Sequence, residues 1–437
     1  MMQTIDLRNT SPTRADLARL APRASAAGTD AAAASAAELI ADVRARGARA
    51  LLDQAEKFDG VRPKRLRMEP DDVAHAMGRL DPTVRAALEE AIDRVTAATR
   101  TQVPESSVTD LGPGAQVIQR WQPISRVGLY VPGGKAVYPS SVVMNVVPAQ
   151  VAGVGSIALT SPPQKAFDGL VHPTILGAAG LLGIEEIYAI GGAGAIGALA
   201  YGVEGLGLDP VDLITGPGNM YVAAAKRLVR GVTGIDSEAG PTEILVIADE
   251  TADAVLVAAD LVSQAEHDEQ AAAVLVTTSE DLAAAVSTEV DRLAGSTTHA
   301  TRVATALAGP QSAVVLVSDL AAAAAFSNAY GPEHLEIQTE EPGSVLDLIE
   351  SAGAIFLGAY SPVSLGDYLA GSNHVLPTGG QARFSSGLGA YTFLRPQQVI
   401  RYDRVGLGAV EHQIVALSHA EDLPAHGDAV EARFPAE

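Results

Sequence analysis

A chain of 437 residues is longer than one compact core fills, so two or more domains are expected. Its 47% hydrophobic content with only 4% aromatics suits helices packed closely on sheets better than an all-β sandwich. The absence of cysteine excludes disulfides, thiolate metal sites and a catalytic thiol, and a formal charge of −22 argues against a nucleic-acid partner.

The opening stretch MMQTIDLRNTSPTRADLARL has no basic segment followed by an apolar one. No run approaches the ~20 apolar residues of a membrane span. A cytoplasmic protein with no membrane partner is expected. The first ~110 residues read as mostly helical, with an Ala-rich helical stretch from Ala31 to Phe58, closed by Asp59-Gly60, and a second over Asp81 to Thr101. Nothing there looks catalytic.

From Arg126 short β-branched runs alternate with helices, the pattern of βαβ units and a parallel sheet. Strands are expected at Val127–Val131, Ser156–Thr160, Glu186–Ile190 and Val211–Thr215, with helices near Val142–Ala152, Leu170–Leu182 and Ala195–Tyr201. After the glycine-rich Gly231–Pro241 segment the alternation restarts. Strands are expected at Glu243–Ala248, Ala273–Thr277 and Val314–Ser318, with helices at Ala252–Glu266 and Asp281–Leu293. SIALTS at 156 echoes AVLVTTS at 273. The fold class is therefore α/β with two Rossmann-like parallel-sheet domains. The segments are an N-terminal arm (1–25), a helical segment packing on the second Rossmann-like domain (26–125), the first domain on the cofactor side (126–235), the second domain (236–380) and a C-terminal extension (381–437). The extension reads as polar and loop-rich, with one helix over Ala409–Ser418. It is too short to bury its own core, so it must dock on the rest of the protein or on another subunit.

Three glycine-bearing turns could meet a nucleotide: Tyr130–Lys135, Gly192–Gly197 and Gly216–Asn219. The second matches GxGxxG, with Asp212 downstream, but it sits third in its domain and 42 glycines make chance matches common. Side chains for chemistry gather later. Gln264 and His267 share a helix face and could grip one ion. Glu333 beside His334 in a turn suits a general base. Asp367 and His374 stand in a glycine-rich loop, and Glu421 and His426 flank Leu423-Pro424. One Gln, two His and one Asp offer nitrogen and oxygen ligands for zinc.

VGLYVPGG at 127–134, ITGPGN at 214–219, IDSEAGPTEILVIAD at 235–249, SQAEHDEQA at 263–271, GPEHLEI at 331–337 and GDYLAGSNHVLPTGG at 366–380 resemble the histidinol dehydrogenase family, in order and from end to end. The resemblance implies oxidation of L-histidinol through L-histidinal to L-histidine with two NAD, a four-electron reaction. It implies zinc held by Gln264, His267, Asp367 and His426, and Glu333 with His334 as the acid–base pair. Substrate contacts would come from Thr242, His334, Asp367, Glu421 and the zinc ligands, and NAD contacts from Tyr130 and Asn219. A homodimer with a swapped C-terminal segment would let Glu421 and His426 serve the neighbouring subunit. One position departs from the family pattern GGAQAI: the Gln that contacts the cofactor is Gly194 here, so weaker NAD binding is expected. Other readings of the same residues are a relative oxidising a different small alcohol, a zinc hydrolase that never touches NAD, and a binding protein of two Rossmann-like halves.

Overall fold

The β-branched runs become strands because they are short, apolar on both faces and bounded by turns, which suits a sheet covered on both sides. In the computed structural model, which describes residues 2–23, 29–133, 136–238 and 240–434, there are fourteen strands among the described residues. They are β1 (Gln3–Asp6), β2 (Ser107–Gly112), β3 (Ala115–Pro123), β4 (Arg126–Tyr130), β5 (Ser156–Ser161), β6 (Ile187–Ala189) and β7 (Leu213–Thr215). There follow β8 (Gly234–Ile235), β9 (Glu243–Ala248), β10 (Ala272–Thr277), β11 (Ala313–Leu316), β12 (His334–Gln338), β13 (Ala354–Leu357) and β14 (Leu394–Tyr402).

The first parallel sheet has the order β6-β5-β4-β7-β8 and the second β1-β11-β10-β9-β12-β13. Numbered within each domain, both run 3-2-1-4-5, the doubly wound order without its sixth strand. The echo between 156 and 273 falls on β5 and β10, which occupy the same place in their sheets. All six residues of β9 and of β10 are buried, as strands covered on both faces require.

One expectation fails. The helical segment packs on the first parallel-sheet domain, not the second. Helix Thr29–Arg46 lies on helices Gly192–Tyr201 and Met220–Val229, Pro70–Gly78 lies on Pro173–Leu181, and Pro82–Arg100 on Pro139–Ala152. The cause is in the inner helices. Ala193 to Ala200 are buried without interruption, and so are Ser141 to Ala149. A helix apolar all round needs cover on its outer side as well. Ile40 supplies it over Gly197, and Leu51 over Gly194. In the second domain, helix Glu280–Ser296 buries only Leu282, Ala283, Val286 and Val290, so it faces water directly. From the N-terminal side the arm reaches that domain: β1 extends its sheet beside β11, and helix Arg14–Leu20 packs on Leu320–Tyr330.

Two further departures are local. The Ala31–Phe58 stretch is two helices, broken at Gly47 with φ +55°. The 26–125 segment also ends in β2 and β3, and β14 pairs with β3 from Leu394↔Pro123 to Tyr402↔Ala115. The C-terminal extension is thus more ordered than expected. Leu388, Ala390, Phe393 and Leu394 enter the first domain's core, and helices Arg404–Gly408, Glu411–Ala420 and Pro424–Glu431 follow β14. No helix among the described residues is long and apolar enough to cross a membrane.

Candidate active site

A cleft of about 640 Å³ opens between the two parallel sheets. On the first it lies at the carboxyl edge, where Tyr130 ends β4 and Pro217, Gly218 and Asn219 follow β7. This is the switch point at which doubly wound folds bind ligands. On the second it lies at the amino edge, where Thr242 precedes β9 and Glu333 and His334 begin β12. The two domains therefore face each other with opposite ends of equivalent strands.

Parallel pairing of β9 with β12 sets His334 opposite Ile244 and brings Glu333 beside Glu243. Glu333 Oε2 accepts from the Thr242 hydroxyl at 2.6 Å and from the Glu243 N–H at 2.9 Å. Even so, burial raises its carboxyl well above the usual range, because an ionised carboxylate loses more hydration than these donors restore. His334 is 5% exposed, and burial lowers its imidazole, leaving the neutral ring favoured. Its Nδ1 lies 3.1 Å from the Glu243 carbonyl. A carbonyl only accepts, so Nδ1 carries the hydrogen and Nε2 keeps its lone pair.

Behind this pair stands an ion pair with a buried carboxylate and a half-buried guanidinium, which no sequence motif signals. The Glu243 carboxylate receives Arg23 Nη1 at 3.2 and 3.1 Å, and also the Gly379 N–H. Arg23 is an arm residue with no local signal of function. Gln264, on helix Ala254–Ala265, donates to Thr242 Oγ1 at 2.6 Å, which leaves its carbonyl oxygen to another partner. Gln264 is buried behind Thr242 and does not line the cleft, whereas His267 and Asp367 do. His267 Nε2 and Asp367 Oδ2 are 4.0 Å apart. Two ligands of one zinc, each about 2.0–2.2 Å from it, lie within about 4 Å of each other, so the pair sits at the outer limit of a shared ion. Nitrogen and oxygen donors suit zinc in a cysteine-free chain. Among the described residues, however, no three His, Asp or Glu groups gather closely enough to hold a metal.

His374 lines the same cleft and was noted in the sequence without a role. Its Nδ1 donates to the Asp367 carbonyl at 2.8 Å, and its Nε2 lies 3.2 Å from Ser141 Oγ at the start of the Pro139–Ala152 helix. It joins the two walls of the cleft.

Of the expected site residues, Thr242, His267, Glu333, His334 and Asp367 line the cleft with Tyr130 and Asn219. Gly134 and Lys135, in the first glycine-bearing turn, lie outside the described residues. Gly194 is buried in its helix and does not line the cleft. A Cβ added there would lie 2.2 Å from Gln54 Oε1, so the space beside this glycine is filled by a glutamine from helix Ala48–Phe58. Glu421 and His426 are exposed and do not line the cleft of their own chain.

Two Rossmann-like halves around a cleft, with a glycine-bearing βα turn on one wall and the buried Glu333–His334 pair on the other, make a two-domain α/β protein of the nucleotide-binding class. The histidinol dehydrogenase family model matches residues 23–434. Histidinol dehydrogenase of Leifsonia xyli subsp. xyli is 68% identical over 433 residues, covering 99% of each chain. That of Mycolicibacterium smegmatis is 55% identical over 436 residues, covering 99% of this chain and 98% of its own. The crystal structure of histidinol dehydrogenase from Elizabethkingia anophelis superimposes with a TM-score of 0.91 at 33% identity, covering 99% of this chain and 98% of that one. The chain belongs to the histidinol dehydrogenase family, NAD-dependent enzymes that catalyse the final two oxidation steps of histidine biosynthesis.

Proposed function

We propose that the chain oxidises L-histidinol through L-histidinal to L-histidine with two NAD, in a zinc-dependent site shared between two subunits of a cytoplasmic homodimer. The observation that carries this reading is the Glu333–His334 pair: adjacent residues, both buried, with one imidazole nitrogen tied to the Glu243 carbonyl and the other left as a base. Gln264, His267 and Asp367 would hold zinc together with His426 of the partner subunit. Bound there, zinc would supply a Lewis-acidic template that orients histidinol beside the nicotinamide.

Tyr130 and Asn219 contact NAD on the carboxyl edge of the first sheet, and NAD is held more weakly because Gly194 offers no side-chain hydrogen bond. His334 accepts the hydroxyl proton while hydride passes to the nicotinamide. Glu333 then takes a proton from water adding to the bound aldehyde, and the resulting hydrate gives up the second hydride. Thr242, Asp367 and Glu421 of the partner subunit hold the substrate. Keeping the aldehyde in the cleft limits its side reactions in water.

The exposed positions of Glu421 and His426 support a swapped arrangement. Helices Glu411–Ala420 and Pro424–Glu431 pack chiefly on each other, and Arg404–Gly408 rests on β3 and β14. The test is NADH formation from L-histidinol, with and without a chelator. About two NADH per histidinol, lost on chelation and restored by zinc, is the expected result for a four-electron oxidation with a metal-built site. No NADH at saturating NAD would refute the reading.

A further inference from the structure

Away from the acid–base pair, the first domain carries a buried ion pair that the mechanism above does not use. Lys226, on helix Met220–Val229, is 1% exposed, and its ammonium meets the Asp236 carboxylate and the Gly216 carbonyl, the latter at 3.1 Å. Asp236, just past β8, also accepts from the Gly216 N–H at 2.8 Å and the Ser237 N–H at 2.7 Å. Both polar groups of the Gly216 backbone are thus held by the two members of one ion pair. Side chains on a helix lean toward its N-terminus, so Lys226 reaches back along its helix to the turn that starts it.

The turn held in this way has little freedom. Gly216 has φ +116°, and a Cβ there would lie 2.0 Å from the Tyr130 carbonyl oxygen. The turn ends at Asn219, whose side chain caps the helix by accepting from the N–H groups of Tyr221 and Val222. Asp236 also begins the connector that leaves the first sheet and delivers Thr242 to the second. That connector is fastened further on, where the Gly240 N–H donates to Thr378 Oγ1 at 2.5 Å and Gln381 donates to the Glu238 carbonyl at 2.8 Å.

We propose that the Lys226–Asp236 ion pair is a positioning device for the cofactor, fixing the Gly216–Asn219 turn against Tyr130 and tying it to the connector that carries Thr242. The inference rests on the reading of Tyr130 and Asn219 as NAD contacts. Neither Lys226 nor Asp236 lines the cleft, so the pair acts through the turn and touches no reacting atom. Burial makes the pair all-or-nothing, since removing one partner strands the other charge without water.

The test uses the intact zinc-loaded enzyme and measures NAD affinity by direct titration, beside the KM for L-histidinol and the zinc content. Asp236→Asn should raise the NAD Kd by about tenfold or more, about 1.4 kcal/mol for each factor of ten, with zinc content and histidinol KM close to wild type. In an Asn219→Ala background the same substitution should do much less, because the contact it positions is already gone. Should Asp236→Asn not accumulate folded, Lys226→Gln carries the same comparison, since it removes the charge and keeps a donor for the Gly216 carbonyl. Should both substitutions leave no folded protein, or should NAD and histidinol affinities fall together, the pair is a general structural element and the proposal is wrong. An additive effect with Asn219→Ala would also overturn it. Wild-type enzyme that makes no NADH from histidinol would instead refute the underlying function, and the two failures are told apart by that control.

Discussion

Glu333 and His334 are neighbours in sequence, yet burial drives them in opposite senses, each toward its uncharged form. For His334 that is the base form, available across neutral pH. For Glu333 it is the acid form, so its base form grows as pH rises above the usual carboxylate range. The aldehyde-oxidising step should therefore climb with pH over a range where the alcohol step has levelled. Glu333→Gln should flatten that climb and slow the aldehyde step by about 10²–10⁴-fold, while sparing the alcohol step. NADH release measured separately from L-histidinal and L-histidinol checks this, and equal losses would refute the division of labour. Gly194 supports a second test. Restoring glutamine there drives a Cβ into Gln54, so Gly194→Gln should lose about 1–3 kcal/mol of stability as an overpacked core does. Thermal melting should show most of that loss relieved by Gln54→Ala. The expected Gln264/His267 helix face does not form, because the helix ends at Ala265. The Glu333-His334 pair was legible in the sequence because its members are adjacent, although it opens strand β12 and is no turn. The supports were not: Arg23 meets Glu243 across 220 positions, and His374 meets Ser141 across 233.

Strand β12 carries more than the base proposed at its start. His334 and Glu336 are two apart and so face the same side of the sheet, where helix Ala254–Ala265 covers them. Glu336 is completely buried, and its polar neighbours are the Asp260 carboxyl and the Gln338 side chain. Burial first, then the nearby acid, pushes Glu336 up to about 9, while burial lifts Asp260 to about 6. A carboxyl whose folded value is raised favours folding fully below its unfolded value of about 4.5. That contribution is lost as pH rises toward 9. Glu336→Gln removes this loss, so the variant should gain on wild type by up to about 1.4 kcal/mol per pH unit between pH 5 and pH 8.5. Melting temperatures across that range decide it, and a difference independent of pH would contradict the account. Strands β12 and β13 were not expected, whereas β4 to β7 and β9 to β11 were legible from their β-branched runs. β14 was not, because LRPQQVIRY has no alternating apolar face and is recruited by backbone pairing with β3, about 280 residues earlier.

At the scale of the molecule, two copies of one strand order face each other at opposite edges, the carboxyl edge of one and the amino edge of the other. The Gly192–Gly197 turn runs into a buried helix and does not line the cleft. Sequence placed the Gly216–Asn219 turn on the first edge, since a βα turn is read directly from strand, glycine and helix in order. It could not place Glu333 and Thr242 at the amino edge of the second, because that depends on how the domains are set against each other. The helical segment was assigned to the wrong domain for a related reason. Which inner helices need outer cover is a property of burial, not of the covering helix. The C-terminal helices raise the same question between chains, since Glu421 and His426 stand clear of their own cleft. Complementation tests this most directly. His426→Ala and His334→Asn are each expected to be inactive. If the site is shared, unfolding and refolding an equal mixture should restore about one quarter of wild-type NADH formation, because half the dimers are mixed and each mixed dimer holds one intact site. If each chain completes its own site, the mixture stays as inactive as its components, and the shared active site is refuted.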